Sequence, residues 1–270
     1  MATKNLGMRV ASALVLAPLA LAAAYLGDWP FALFWGFAAI VVLWEWITLV
    51  LGPVYRLVFS SGAAALGVAA LVAWLERPIA ALLMVGLGML SSATFAPRER
   101  RRWVASGVAY AGGMLLAPIL LRADKVYGFM AIVLLFAIVW TTDILAYFAG
   151  RAFGGPKLLP AISPKKTWSG AIAGTVCGVI AAVLVARLSG TLSLWIVAIA
   201  FALCVLAQVG DLLESWIKRK FQAKDSGHLI PGHGGAMDRL DGFWAAAVAA
   251  CVIGLLRGGF EAPAKGLLIW

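Results

Sequence analysis

The sequence predicts an all-α, polytopic membrane protein of about nine transmembrane helices, N-terminus in and C-terminus out. Three observations predict this. The chain is 63% hydrophobic and only 13% charged, whereas a soluble domain carries about 25% charged residues. Its apolar residues gather into runs long enough to span a bilayer. Its Lys and Arg residues crowd the loops of one side.

A spanning helix needs about 20 mostly apolar residues. Nine segments meet that, at about 9–26, 29–51, 56–75, 79–96, 103–122, 126–149, 168–187, 191–213 and 240–256. Most of the breaks carry Gly, Pro or charge, as at Gly52-Pro53, Glu76-Arg77-Pro78 and Arg98–Arg102. Residues 1–26, with Lys4 and Arg9 before an apolar run, have the outline of a signal peptide and are read as the first span. The organisation expected is an N-terminal region of about five spans (1–125) and a second region of about four spans (126–270). The latter carries two cytoplasmic loops, 150–167 and 214–239.

Loop charge sets the orientation. With the N-terminus inside, sixteen of the 22 Lys and Arg residues fall on the cytoplasmic side. Arg77, Arg122, Lys125, Arg187, Arg257 and Lys265 fall outside. The distribution also accounts for the net charge of +10 without a nucleic-acid partner. Cys177, Cys204 and Cys251 sit in apolar runs with no metal-binding spacing and read as small buried residues.

Acids within spans are the next signal, because an Asp at a helix centre costs roughly 2.5–3.5 kcal/mol on insertion scales. Glu45, Asp143, Asp211 and Glu214, then Asp238 and Asp241, all lie toward the cytoplasmic ends of their spans. Asp143 is about 9 Å along the helix from its span's end. Glu45, between Trp44 and Trp46, reads equally well as a helix-end acid reaching for water. Asp143 and Asp211 have small or polar neighbours that leave room for a ligand. Asp124, in an outward loop, is expected to leave activity nearly unchanged when changed to Asn.

The two cytoplasmic loops hold most of the remaining polar chemistry. The first carries Gly154-Gly155-Pro156-Lys157 and Ser163-Pro164-Lys165-Lys166-Thr167. The second carries Lys218-Arg219-Lys220, Lys224-Asp225, both histidines (His228 and His233) and Gly234-Gly235, and runs into Asp238-Arg239-Leu240-Asp241. Glycines let a backbone approach an anion and point N–H groups at it. Lys and Arg neutralise phosphate oxygens, and paired Asp residues suit Mg²⁺. Each part has a plainer reading: Arg98–Arg102 as a topology signal or anionic-lipid contact, Gly-Gly as a turn, Asp225 as a partner of Lys224. Their concentration on one face points to metal-assisted phosphate chemistry.

Residues 215–241 resemble the signature of the phosphatidate cytidylyltransferases, S-x-x-K-R-x4-K-D-x-G-x2-[LIF]-P-x-H-G-G-x-x-D-R-x-D. Ser215, Lys218, Arg219, Lys224, Asp225, Gly227, Ile230, Pro231, His233, Gly234, Gly235, Asp238, Arg239 and Asp241 all fall on it. Asp143, Gly150-Arg151 and Ser163–Trp168 resemble the family's other block. There Ser169 stands where the family usually has Glu. The resemblance covers about 130–245.

The resemblance implies that CTP and phosphatidic acid condense to CDP-diacylglycerol and pyrophosphate at the cytoplasmic face of the cell membrane. It implies Mg²⁺ on Asp211 and Asp238, with Asp241 and Asp143 nearby and room for a second cation. Lys218, Arg219, Lys224 and Arg239 would hold phosphate oxygens. Ser163, Lys165 and Lys166 would close the nucleotide site, and His233, Gly234 and Gly235, with Asp225 beside them, would line the phosphates. Membrane lipids are the surroundings, and the family favours a homodimer. Gly170-Ala171-Ile172-Ala173-Gly174 offers a small-residue face for packing within or between chains. A CTP-dependent lipid kinase is the near alternative. A secondary transporter is the remoter one, since its acids would sit near the midplane.

Overall fold

Helices dominate the computed structural model, which describes residues 2–227 and 234–270. Two compact units emerge, one of Met1–Ala123 with Phe221–Arg239, the other of Asp124–Lys220 with Leu240–Trp270.

The first unit contains α1 (Ala2–Leu26), α2 (Asp28–Leu51), α3 (Arg56–Trp74), α4 (Pro78–Phe95) and, after a 3₁₀ turn at Arg98–Arg100, α5 (Arg101–Ala123). Helix α2 packs on α5 and α3, and α4 packs on α3 and α5. Trp46 Nε1 donates to the Trp103 carbonyl at 2.8 Å, and its ring lies 5.2 Å from that of Tyr110. The second half of α2 is thereby held in the unit's interior, where Leu43, Glu45, Trp46 and Ile47 are all buried. Leu57, Leu82, Leu83 and Leu90 point outward, as lipid-facing side chains would.

The second unit contains α6 (Gly128–Phe153), a hairpin of β1 (Lys157–Leu159) and β2 (Ser163–Thr167), α7 (Trp168–Leu188), α8 (Leu194–Lys220), α9 (Met237–Gly258) and α10 (Pro263–Leu268). The first residues of α9 belong to the other unit. Helix α7 lies on α6 through Gly170, Gly174 and Gly178. A Cβ at Gly170 would stand 2.6 Å from the Ala146 carbonyl oxygen, and one at Gly174 2.6 Å from that of Thr142. The small-residue face read as fit for packing within or between chains is therefore used within the chain.

Eight helices among the described residues are long and apolar enough to cross a membrane, namely α2 to α9 with the 3₁₀ turn extending α5. Helix α1 is continuous over Ala2–Leu26, and Leu14–Leu26 is its described apolar stretch. The chain is thus an all-α polytopic membrane protein. The expected loops are shorter than read from apolarity alone. Helix α8 continues to Lys220, past the expected loop start at 214, because Leu212–Lys220 contains no breaker and Glu214 pairs with Lys218 one turn on. Helix α6 continues to Phe153 and stops at Gly154, whose φ of 61° suits glycine. The rest of that loop folds as the hairpin.

Asp124 corrects a second expectation. It is buried rather than loose in a loop. Its Oδ1 accepts the N–H groups of Val126 and Tyr127 at 3.0 and 2.9 Å, and its Oδ2 accepts that of Lys265 at 2.9 Å. Asp124 thus caps the turn into α6 and ties down α10. Asn keeps one acceptor but turns an N–H toward a donor, so the Asp124→Asn variant is expected to be less stable than the wild type, which makes it a poor control for activity. The Asp124→Ala variant should lose on the order of 1 kcal/mol, as cap removals do. Thermal unfolding in detergent, with Glu76→Gln as the exposed control, reads this; equal midpoints would refute the cap.

Candidate active site

In the second unit, α8 meets α9 at Gly210. A Cβ there would stand 2.6 Å from the Asp241 carbonyl oxygen, so only glycine permits this approach. Gly242 faces the Ala207 carbonyl in the same seam. The consequence is electrostatic: Asp241 comes within interaction range of Asp211, and also of Asp143 on α6 and Lys166 on β2. Lys166 Nζ stands 2.5 Å from Asp211 Oδ2. The Asp241 carboxylate is buried and accepts the Gly242 N–H at 2.7 Å. Three carboxyl groups and the Lys166 ammonium therefore lie within electrostatic range of one another in this unit, a set of oxygen donors brought together by the α8–α9 seam.

The hairpin delivers Lys166. Leu159 pairs with Ser163 and Lys157 with Thr167. Thr167 caps α7 by accepting the Gly170 N–H at 3.2 Å, and its hydroxyl lies 3.0 Å from that of Ser169. Ser169 donates to the Gly154 carbonyl. Here Ser169 fastens the start of α7 to the residue that ends α6, a local task that needs no acid. Lys165 is exposed, and Ser163 is half-buried at the head of β2.

Along the last turns of α8, Lys218 Nζ pairs with Glu214 Oε2 at 2.6 Å. The Glu214 side chain is 1% exposed and that of Lys218 12%. Lys218, expected to meet phosphates, is thus also the counter-charge of a buried acid. Arg219 is exposed one residue on.

In the first unit, the segment after α8 carries Lys224 and Asp225, both exposed, then Ser226 and Gly227. It resumes at Gly234 and Gly235 before Asp238 and the exposed Arg239. His233 lies outside the described residues. Asp238 folds this segment onto itself: its Oδ2 accepts the N–H of Ser226 at 3.1 Å and that of Gly235 at 2.9 Å. Glu45 holds the same segment from α2 through Ser226, Ala236 and Met237. The structure therefore groups Asp143, Lys166, Asp211 and Asp241 in one unit, and Gly234, Gly235 and Asp238 in the other. It adds two residues to the expected set, Glu45 and Ser226. The sequence signal for Glu45 was an acid inside an apolar run; for Ser226 there was none.

Comparison with known proteins decides the family. The model of the cytidylyltransferase family matches residues 7–256. The chain belongs to the cytidylyltransferase family. Membership extends over nearly the whole chain, well beyond the segment whose motifs carried the resemblance. Among similar proteins, the phosphatidate cytidylyltransferase of Brucella suis is 42% identical over 265 residues, covering 96% of this chain and 97% of its own. That of Brucella abortus is 43% identical over 258 residues, 93% and 94% of the two chains. That of Rickettsia typhi is 39% identical over 176 residues, 59% of this chain and 73% of its own.

The Glu214–Lys218 pair gives a test that separates structure from chemistry. Removing one partner of a buried pair costs about 3–5 kcal/mol, so Lys218→Ala should lower thermal stability sharply. Adding Glu214→Gln should restore most of it. If Lys218 also holds phosphate, the stable double variant remains slow; wild-type turnover in that variant would remove Lys218 from the site.

Proposed function

We infer that this chain is a phosphatidate cytidylyltransferase, condensing CTP with phosphatidate to CDP-diacylglycerol and pyrophosphate for phospholipid synthesis. The observation that carries the reading is family membership over nearly the whole length, with relatives of that name above 40% identity. The lipid-kinase and transporter alternatives are not favoured. Labelled CTP, phosphatidate and Mg²⁺ supplied to the purified protein should place cytidine in the lipid. Phosphate transfer alone would mean a kinase, and no transfer would reject the reading.

The chemistry asks little of a general base. A phosphate monoester has its second pKa near about 6, so phosphatidate arrives with an anionic oxygen at neutral pH. That oxygen attacks the α-phosphorus of CTP, the bond to the β-phosphate oxygen breaks, and pyrophosphate leaves with the electron pair. Positioning and charge neutralisation therefore dominate. Lys165, Lys166, Lys218, Arg219, Lys224 and Arg239 are the cations for that work. Ser163, Asp225, His233, Gly234 and Gly235 are the further proposed substrate contacts.

Among the described residues no three His, Cys, Asp or Glu side chains form a ready-made metal cage. The carboxyl groups of Asp143, Asp211 and Asp241 nonetheless supply oxygen donors of the kind a hard cation takes, close enough to act on one another. Asp211 and Asp238 would hold Mg²⁺, with Asp143 and Asp241 as neighbouring acids. The ion would neutralise phosphate charge, and a second cation has the same rationale. Asp211→Asn and Asp238→Asn should each abolish most activity while the protein inserts and purifies normally. The double variant should cost little more, because groups acting as a unit are not additive. Near-normal Mg²⁺-dependent turnover in either single variant would remove that residue from the metal site.

The remaining proposals concern placement. The reading is nine spans with α1 as the first, N-in and C-out, in the cytoplasmic membrane. The catalytic region is 126–270, with its polar loops facing the cytoplasm, and a second copy of the chain is the expected partner. The sixteen-to-six distribution of basic residues supports the orientation. Cysteines introduced at Ser163 and at the exposed Asp225 should resist an impermeant thiol reagent in intact cells and react once the membrane is opened, and one at Glu261 should react in intact cells. The opposite pattern would overturn the orientation. Cross-linking in native membranes tests the dimer.

A further inference from the structure

Glu45 lies in the apolar part of α2, and its side chain is fully buried. A buried carboxylate is costly unless it is well hydrogen-bonded. Its hydrogen-bond donors come from one distant segment. Oε1 accepts the Ala236 N–H at 2.8 Å; Oε2 accepts the Met237 N–H at 2.8 Å and the Ser226 hydroxyl at 3.0 Å. Met237 is the first residue of α9, where a helix leaves N–H groups without intrahelical partners and favours negative charge. Glu45 is therefore a helix cap contributed by another helix.

The fit leaves no spare room. A Cβ at Gly235 would stand 2.6 and 2.7 Å from the two Glu45 oxygens, and a Cβ at Gly227 would stand 2.9 Å from Oε1. Two glycines of the signature thus pack directly against this carboxylate. Asp238 grips the same segment from its other side. Ser226 gives its hydroxyl to Glu45 and its N–H to Asp238, and Gly235, packed against Glu45, gives its N–H to Asp238. Moving Glu45 moves the donors that orient Asp238.

We propose that Glu45 is a positioning residue for the reaction: by clamping Ser226, Ala236 and Met237 it fixes where the Asp238 carboxylate stands. The proposal rests on Asp238 serving the site as read above, while Glu45 itself touches neither substrate nor metal.

The test uses the full chain in detergent. Glu45→Gln preserves size, but its amide nitrogen must face one of the two backbone donors. In that variant kcat should fall about 10- to 100-fold, the usual loss when an outer partner of a metal ligand is removed. The Mg²⁺ concentration for half-maximal rate should rise, KM for CTP should change less than kcat, and tryptic cleavage after Lys224 should quicken. Gly235→Ala should reproduce the pattern, and the two changes together should cost less than the product of their separate losses, as expected for residues in contact. Glu76→Gln should change nothing.

Wild-type turnover and Mg²⁺ requirement in Glu45→Gln would overturn the proposal. So would a lower rate with unchanged Mg²⁺ requirement and unchanged cleavage, which would mean that Glu45 acts on the reaction without holding this segment. If Glu45→Gln does not purify folded, Ser226→Ala removes only one of the three bonds and should show a smaller shift in the same direction; no shift is again a refutation. A wild-type protein that forms no CDP-diacylglycerol would reject the enzymatic reading, and the cleavage comparison, which needs no turnover, still decides the clamp.

Discussion

A carboxylate inside an apolar protein must find hydrogen bonds or a counter-charge, and this requirement organises the molecule. Each buried acid meets it differently. Glu45 takes two backbone N–H groups and a hydroxyl. Asp124 takes three backbone N–H groups. Glu214 takes the ammonium of Lys218. Asp241 takes the N–H of Gly242 and lies within range of Lys166, yet also of two further carboxylates. Among the described residues this last arrangement gathers three acids, and it sits where the chemistry is proposed. Glu45 and Asp124 are held by donors of the chain itself, and Glu214 by its ion pair; the acids around Asp211 are instead set against one another.

Glycine is the second constraint, and it works through distance. Gly170 and Gly174 bring α7 onto the carbonyls of α6, and Gly210 brings α8 onto α9. In a membrane there is no hydrophobic gain from hiding Leu among Leu, so close backbone approach and packing must hold helices together. The close approaches also set the electrostatics. Without Gly210, Asp211 and Asp241 would be pushed apart. A residue with no side chain thus fixes the spacing of two charged ones.

The spans were legible because their signal is local: about 20 apolar residues bounded by Gly, Pro or charge. The candidate acids and basic residues were legible for the same reason, since charge inside or beside an apolar run stands out. Helix ends were not, because the criterion was apolarity, whereas Leu212–Lys220 continues as helix through its own ion pair beyond the apolar stretch. The hairpin at 157–167 was hidden by its brevity. Glu45 could be singled out but not interpreted, because its donor Ser226 is 181 residues away in sequence. Asp124 looked like a loop acid for the same reason, its third donor being 141 residues away. Local patterns reveal elements and unusual residues; what those residues hold is a matter of long-range pairing.

The placement of charge also bears on the reaction. One substrate is a water-soluble triphosphate and the other a lipid whose headgroup stays at the membrane surface. A site for both belongs at helix ends, where water reaches the nucleotide and the acyl chains need not leave the bilayer. Acids near the midplane would meet neither phosphate without a large desolvation cost. Here the carboxylates stand near the ends of α2, α6 and α8 and at the start of α9, beside the segments that carry most of the candidate cations. Such segments are hard to hold still, because they lie outside the packed helices. A buried acid on α2 that fastens Ser226, Ala236 and Met237 across nearly 200 residues of sequence is a physical answer: it spends a costly polar group in the interior to hold the residues beside Asp238 where phosphate chemistry needs fixed positions.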